Sequence, residues 1–233
     1  MKTRCVYLLT IVSVVVSLVG CAEGPLWKTG YLSPWARQQW ANEEQIAATL
    51  FTKRNSFREM VDNALQAGTE KQEEASEFLA DVVTRDPVLL LRMEATRLLA
   101  ELPTETAENA LQIASRDRQV EVRMAALKAW EQRGDATAEQ VLIQMLRTDD
   151  DTNIRIGAAA ALGQFSGEQV TNALAEVIDD PNPAMQLRAA ESLAAVTGEN
   201  HGRDIQAWQE FLNDALESPV EQTASQEDER PFR

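Results

Sequence analysis

The 233-residue sequence contains few of the side chains that small reactive sites use. It has one histidine, His201, and two cysteines, Cys5 and Cys21. Two cysteines permit at most one disulfide, so a disulfide-rich scaffold is excluded. Zinc sites draw on several Cys, His, Asp or Glu side chains, and one histidine with no neighbouring cysteine does not supply the usual set. We therefore interpret His201 as a loop residue and predict neither a metal nor a cofactor.

Catalytic motifs are missing as well. The acidic run at 149–151 lacks the closing glutamate of a calcium-binding EF-hand loop, because Ala160 occupies the twelfth position. In the stretch from Gly163 to Gly167 the serine comes one place too late for the nucleophile elbow of hydrolases. The sequence has no phosphate-binding loop, dinucleotide fingerprint or zinc-protease pair. We predict no catalytic residue, no small-molecule substrate and no enzymatic activity.

Positive charge is scarce. The chain has 22 Lys and Arg against 37 Asp and Glu, a formal net charge of −15. The imbalance is concentrated in residues 134–233, where 19 acidic side chains face 6 basic ones. Phosphate backbones repel such a chain, so we do not expect nucleic acid as a partner. An acidic surface usually serves solubility, and in some proteins it attracts a basic partner or divalent cations.

The chain has one long apolar run, from Cys5 to Val19, which follows Lys2 and Arg4. Its 15 residues fall short of the about 20 that a membrane-spanning helix needs. A basic head, a short apolar segment and a small-residue end are typical of a secretory signal peptide. The sequence Leu18-Val19-Gly20-Cys21 resembles a bacterial lipobox, in which cleavage occurs before the cysteine and the cysteine carries the lipid. An uncleaved anchor is the alternative.

The resemblance to a lipobox implies where the protein resides. Cleavage after Gly20 leaves Cys21 as the lipidated first residue, so the mature chain is anchored to a membrane without spanning it. We expect a bacterial cell-envelope protein that faces the periplasm. Ala22 stands where some bacterial lipoproteins carry the aspartate that retains them in the inner membrane, which slightly favours the outer membrane.

An internal repeat occupies the middle of the chain. Each of four copies begins with an aspartate, followed six residues later by an arginine or, in the last copy, a glutamine. These positions are 31, 32 and 31 residues apart. An apolar residue precedes the arginine, an alanine follows after three residues and a large apolar residue after seven. The copies are Asp86, Leu91, Arg92, Ala95 and Leu99; Asp117, Val122, Arg123, Ala126 and Trp130; Asp149, Ile154, Arg155, Ala158 and Leu162; Asp180, Met185, Gln186, Ala189 and Leu193. Spacings of three and seven place these side chains on one helical face.

Each copy also contains a second, shorter segment with helical apolar spacing, so the repeating unit is predicted to be a helical hairpin. Hairpins of this kind bury their apolar faces only by stacking on their neighbours. We predict an all-α, right-handed α-solenoid of about four hairpins between helical caps. The predicted segments are 1–20 for the signal peptide, 21–68 for a lipidated aromatic segment and cap, 69–102, 103–134, 135–166 and 167–198 for the repeats, 199–217 for a closing helix, and 218–233 for a disordered tail.

The second helix of each unit resembles the HEAT-like repeats of bacterial proteins, the short kind also found in relatives of phycobilisome lyases. Their pattern is an aspartate followed by Val-Arg-x-x-Ala-Ala-x-Ala-Leu-Gly, and residues 154–163 read IRIGAAAALG. The resemblance covers residues 70–198 and implies an armadillo or HEAT-type array. Because such arrays serve many partners, it implies no single function.

The repeated arginine lies beside an alanine-rich contact face, and small residues there let neighbouring helices approach closely. An arginine at such a place is partly desolvated and needs a carboxylate or carbonyl partner. The aspartate of the turn is the obvious candidate, and in the family that the chain resembles such residues look like a ladder along the stack. We predict a structural ladder that ends at Gln186, where Arg188 is a poor substitute. Its members are Asp86, Arg92, Asp117, Arg123, Asp149, Arg155 and Asp180.

The segments that flank the repeats are predicted to be caps. Four aromatics crowd the N-terminal side: Trp27, Tyr31, Trp35 and Trp40. They either cover the first repeat or lie at the lipid headgroups, for which Trp27 is the best candidate. Ser33 with Pro34 predicts one helix start and Ser56 with Glu59 a second. Asp204 is expected to cap a closing helix that carries Trp208, Phe211 and Leu212. Thr104 and Thr137 are further predicted N-caps.

Three functions remain compatible with the sequence. The first is a non-catalytic, lipid-anchored scaffold that presents the concave face of the solenoid to another envelope protein. The second is an accessory factor for the attachment of a chromophore or cofactor, an analogy with phycobilisome lyases that rests on fold alone. The third is a structural envelope component in which the repeats act as a spacer.

Overall fold

The computed structural model describes residues 34–217, with side chains from 49 to 214. Within this range the chain forms ten helices and no strand. They are α1 (Pro34–Ala67), α2 (Thr69–Arg85), α3 (Leu89–Leu99), α4 (Glu105–Ala114), α5 (Val120–Arg133), α6 (Ala136–Thr148), α7 (Thr152–Leu162), α8 (Glu168–Ala175), α9 (Pro183–Thr197) and α10 (Ile205–Glu217). The all-α prediction is confirmed. None of these helices is long and apolar enough to cross a membrane.

Contacts divide the chain into two compact units at Lys53 and Arg54. Of the first unit, the structure describes only residues 34–53, which belong to α1. The second unit contains the rest of α1 and the nine helices that follow it. The predicted signal peptide, Cys21, Trp27 and the tail at 218–233 lie outside the described residues.

The second unit is a two-layer stack of helical hairpins. The hairpins pair α2 with α3, α4 with α5, α6 with α7 and α8 with α9. We call the first helix of each pair the A layer and the second the B layer. In the B layer α3 packs on α5, α5 on α7 and α7 on α9; in the A layer α2 packs on α4 and α6 on α8. Each hairpin therefore packs on the next one through its B-layer helix, which is the architecture of an α-solenoid.

The apolar columns of the repeat form the centre of the stack. The large residue of each copy is fully buried: Leu99, Trp130, Leu162 and Leu193 are all 0% exposed. The residues before the ladder position and the alanines three places after it are buried to the same extent in all four copies. Equivalent sequence positions thus occupy equivalent interior positions, which confirms the repeat.

Trp130 is the largest of these buried side chains, and its indole N–H requires a partner inside the core. Nε1 donates to the hydroxyl of Ser115 at 2.9 Å, and that hydroxyl donates to the carbonyl of Leu111, also at 2.9 Å. Both hydrogen bonds stay within the second hairpin. The hairpin accommodates tryptophan where the other copies have leucine because Ser115 satisfies the one polar atom of the ring.

Small residues allow the B-layer helices to approach one another closely. A Cβ added at Gly157 of α7 would lie 3.0 Å from Cδ1 of Leu127 on α5. A Cβ added at Gly163, just after α7, would lie 3.1 Å from the hydroxyl oxygen of Ser192 on α9. Glycine within a helix costs about 1 kcal/mol relative to alanine. At Gly157 this cost accompanies a close contact between two repeats.

The N-terminal cap differs from the prediction. Two helices were expected, starting near Ser33 and Ser56, but α1 runs from Pro34 to Ala67 without a break. The prediction of a second helix start at Ser56 was wrong. Ser56 and Glu59 match a capping box, but a cap forms only where a preceding helix has ended, and residues 35–55 contain no glycine or proline to end it. Gly68, with φ of 104°, ends the helix and turns the chain into α2.

Side-chain caps mark several helix starts. The hydroxyl of Thr104 accepts from Ala107 N and confirms that N-cap. Thr137 is not the N-cap of α6. The N-cap is Asp135, two residues before Thr137, and its carboxylate accepts from Ala138 N. At the C-terminal end the carboxylate of Asp204 accepts from Ala207 N at 3.1 Å and confirms the start of α10.

The closing helix α10 packs on α9 through its apolar face. Trp208 is 0% exposed and Leu212 4% exposed, as a cap of the last repeat requires. The indole Nε1 of Trp208 donates to the carbonyl of Gly202 at 3.2 Å. This bond ties the helix to the loop before it.

Candidate functional site

The turn inside each hairpin is organised by the repeated aspartate. Its carboxylate accepts a hydrogen bond from the backbone N–H two residues later, and the distance is 2.8 Å in every turn. The pairs are Asp86 with Val88, Asp117 with Gln119, Asp149 with Asp151, and Asp180 with Asn182. This Asx turn fixes the orientation of the carboxylate and leaves it accessible to a further donor.

The arginine of one repeat binds the aspartate of the next repeat. Arg92 donates through Nε and Nη2 to the two carboxylate oxygens of Asp117, both at 3.2 Å. Arg123 makes the same two bonds to Asp149 at 2.7 and 2.9 Å. Arg155 makes a single bond, from Nη2 to Asp180 at 2.8 Å. Every pair therefore crosses a boundary between repeats.

The remaining donors of each guanidinium bind a backbone carbonyl of the same repeat. Nη1 of Arg92 donates to the carbonyl of Asp86 at 3.2 Å, and Nη1 of Arg123 to that of Asp117 at 2.9 Å. Arg155 instead donates from Nε to the carbonyl of Leu146 at 3.2 Å. Because the planar guanidinium holds its donors at fixed angles, one side chain fixes two successive hairpins at a defined spacing.

Burial of the ladder decreases along the chain. The arginine side chains are 6%, 15% and 28% exposed at Arg92, Arg123 and Arg155. The hydrogen bond to Asp149 raises the pKa of Arg123 and outweighs the opposing effect of desolvation. Asp149 is itself only 5% exposed, so it would be left as an almost buried, uncompensated charge if Arg123 were removed.

Both ends of the ladder are visible in the structure. Asp86 begins it, and within the described residues no lysine or arginine forms an ion pair with that carboxylate. Gln186 ends it, where no further hairpin supplies an aspartate turn. Arg188 does not take over the position, since it pairs with Glu191 three residues later at 2.9 Å on an exposed surface. The loss of the arginine in the last copy thus coincides with the loss of its acceptor.

Comparison with known protein families agrees with this geometry. A family model described as HEAT repeats matches residues 76–163 and 139–227. The two matches together extend over more than half of the chain. The protein belongs to the HEAT-repeat family. A search of curated protein sequences found no match.

The HEAT repeats are joined by a second set of contacts on the A layer that sequence reasoning missed. Arg116 donates to the amide oxygen of Gln144 at 3.2 Å. Arg147 donates twice to the carboxylate of Glu176, at 2.8 and 2.6 Å. The two arginines are 31 residues apart and their acceptors 32 apart, so the spacing was a usable signal. The acceptor type changes between copies, which hid the column. Both partners of the second pair are about half exposed, at 45% and 51%, so the pair is worth little.

The first HEAT repeat also receives ion pairs from α1. Arg54 pairs with Glu94 at 3.3 Å and Arg58 with Glu101 at 2.6 Å. The hydrogen bond to Glu101 raises the pKa of Arg58. Residues 54 and 58 are one helical turn apart on α1, whereas the two acceptors are seven residues apart, Glu94 on α3 and Glu101 just after its end. These pairs place the C-terminal part of α1 against the B-layer helix of the first repeat.

The acidic run at 149–151 and His201 make contacts that stabilise the fold. In the acidic run, Asp149 belongs to the ladder and Asp151 caps α7 by accepting from Asn153 N and Ile154 N. The ring of His201 lies 4.7 Å from that of Trp208 and 5.3 Å from that of Phe211, measured between centroids. Among the residues that the structure describes, no group of three or more His, Cys, Asp and Glu could hold a metal ion.

Truncation of the ladder arginines is expected to destabilise the protein in the order of their burial. Arg123→Ala should cost about 3 kcal/mol, since it leaves Asp149 almost buried without its cation. Arg155→Ala should cost about 1 to 2 kcal/mol, because Arg155 makes only one bond to its aspartate and its side chain is more exposed to water. Urea unfolding followed by circular dichroism measures both.

Arg188→Ala is the matched control for this series. Its side chain is 44% exposed and its partner lies on the same helix, so the change should stay within about 0.5 kcal/mol. If Arg123→Ala unfolds at the same urea concentration as Arg188→Ala, the ladder does not hold the repeats together.

Proposed function

We propose that this protein is a non-catalytic scaffold, anchored by a lipid at Cys21, whose HEAT repeats bind another protein of the bacterial envelope. The proposal rests on where the repeated charged residues find their partners. The arginines and aspartates of the ladder are engaged with one another across the repeat boundaries. Their repetition is explained by stacking, and the stack offers two layers of varied surface side chains for recognition.

Variation between the repeats supports a binding role. The interior columns stay apolar in every copy, whereas equivalent exposed positions differ in polarity and charge. On the A layer, for example, Ile113, Gln144 and Glu176 follow one another at the repeat period. A solenoid whose core repeats and whose surface does not is suited to recognise one extended, asymmetric partner.

The anchoring part of the proposal rests on the sequence from Lys2 to Cys21. A basic head, a 15-residue apolar run and a cysteine after Leu-Val-Gly are the features of a lipoprotein signal. Two or more acyl chains hold a protein stably on a membrane. The scaffold would then face the periplasm, from the outer membrane in preference to the inner one.

Replacement of the lipid attachment residue tests the anchor. Cys21→Ser should move the protein from the membrane fraction to the soluble fraction or leave an uncleaved precursor, because no acyl chain can be attached. Membrane fractionation and mass spectrometry of the N-terminus are the measurements. Cys5→Ser, inside the predicted signal peptide, is the matched control and should leave the lipidated product unchanged. A wild-type protein with an intact N-terminus and an unmodified Cys21 would contradict the anchor.

Site-specific crosslinking in intact envelopes tests the scaffold. A photoreactive amino acid at exposed Lys128 on the B layer or exposed Gln144 on the A layer should give a defined protein adduct from at least one layer. If neither layer gives an adduct, the repeats do not act as a partner-binding scaffold.

A further inference from the structure

An open apolar groove lies between α1 and α2, at the N-terminal end of the repeats. Its volume is about 410 Å³. Met60 and Phe78 form its walls, and Ala64, Ala67 and Ala75 contribute small side chains. The two helices are joined at Gly68, whose φ is 104°, and side chains of both helices line the groove.

The largest wall of the groove is an exposed aromatic ring with a fixed orientation. Phe78 is 47% exposed, and its ring packs edge-on against that of Phe57, with the centroids 5.5 Å apart. Phe57 is only 6% exposed, so it belongs to the core and holds Phe78 from below. An apolar side chain that is already ordered loses little conformational entropy when a ligand covers it.

Lys71 and Glu74 are the charged side chains that line this groove, and acidic side chains are in excess on the rest of α2. Helix α2 carries five acidic and two basic residues. Both basic residues have partners on the same helix, since Lys71 pairs with Glu74 and Arg85 with Asp81. Glu70 and Glu77 are exposed and form no ion pair within the described residues. They are seven residues apart, so they lie on one face of α2, separated by about 10 Å.

We propose that this groove docks a basic amphipathic helix of the partner protein, with its apolar side against Phe78 and its cations two turns apart against Glu70 and Glu77. The proposal deepens the scaffold function and rests on it for the identity of the partner as a protein. Helices bind such grooves through apolar residues at positions i, i+3 or i+4, and i+7. The cations of the incoming helix complete ion pairs that α2 does not make within itself.

Charge disfavours two other occupants of the groove. A second copy of this chain carries a formal net charge of −15, so its acidic surfaces would be repelled. A membrane surface rich in anionic lipids would be repelled for the same reason. An apolar groove on a helix whose exposed Glu70 and Glu77 form no ion pair in the described part of the chain favours a ligand that is both apolar and cationic.

The probe is a fluorescein-labelled synthetic helix of about 15 residues, made of leucine and lysine with all leucines on one face. Its binding to the full-length protein is measured by fluorescence anisotropy at low and at moderate salt. Phe78→Ser should weaken binding about tenfold or more, as expected for an aromatic anchor. Ile113→Ser, at a residue 53% exposed on α4 and outside the groove, is the matched control and should leave binding unchanged.

A charge variant keeps the test valid if Phe78→Ser unfolds the cap. Glu70→Lys with Glu77→Lys changes two exposed residues and should weaken the lysine helix severalfold while it strengthens a leucine and glutamate helix of the same pattern. A peptide with the same leucines and lysines in scrambled order should bind poorly, because it has no apolar face.

Several results would overturn the groove proposal. Equal binding of the amphipathic helix to the wild type and to both groove variants would show that the groove is not the site. Equal binding of the scrambled peptide would show attraction by charge alone. Self-association in sedimentation, or flotation with anionic vesicles, that is lost in Phe78→Ser would assign the groove to one of the disfavoured occupants.

The outcomes for the groove and for the scaffold are separable. A defined envelope adduct that persists in Phe78→Ser, together with no binding of the synthetic helix, would retain the scaffold and reject the groove. Groove-dependent binding of the helix without any envelope adduct would retain the groove chemistry and reject the proposed scaffold role.

Discussion

A guanidinium held between two successive turns is the interaction on which the stack depends. Each ladder arginine binds the carboxylate of the following repeat and a backbone carbonyl of its own repeat. Loss or misplacement of the partner of a partly buried cation destabilises the folded state. The pair therefore disfavours any sliding of one hairpin against the next, which apolar packing alone resists less strongly. The alanines and glycines of the B layer are the necessary counterpart, because they bring the helices close enough for the arginine to span the boundary.

The two ends of the array show how the protein covers a repeat that lacks a neighbour. An array of identical hairpins would expose an apolar face and an unmatched charge at each end. At the C-terminal end the arginine is replaced by Gln186, and α10 covers the last hairpin with Trp208 and Leu212. At the N-terminal end α1 contributes Arg54 and Arg58 to the first repeat and buries Val61. The cap leaves an apolar side chain partly open at Phe78.

Periodicity in the sequence predicted the core well because the core is what repeats. The columns at Leu99, Trp130, Leu162 and Leu193 were assigned to the interior from spacing alone, and all are fully buried. Sequence reasoning named the ladder aspartates, but the repeat from which each partner comes required coordinates. The continuous helix α1 was mispredicted because a local capping pattern at Ser56 does not show whether the preceding helix has ended. The pairs Arg116 with Gln144 and Arg147 with Glu176 were missed because exposed columns vary in residue type.

The central claim is an energetic coupling between adjacent repeats, and a double-mutant cycle measures it most directly. Arg123→Met keeps the aliphatic stem, and Asp149→Asn keeps an acceptor for the Asx turn, so the cycle isolates the charge pair. We expect a coupling free energy of about 1.5 kcal/mol or more for this pair in urea unfolding. For Arg92→Met with Asp149→Asn, two ladder members that do not touch, we expect a coupling within about 0.5 kcal/mol. A coupling between Arg123 and Asp149 no larger than that between Arg92 and Asp149 would show that the ladder does not hold adjacent repeats together.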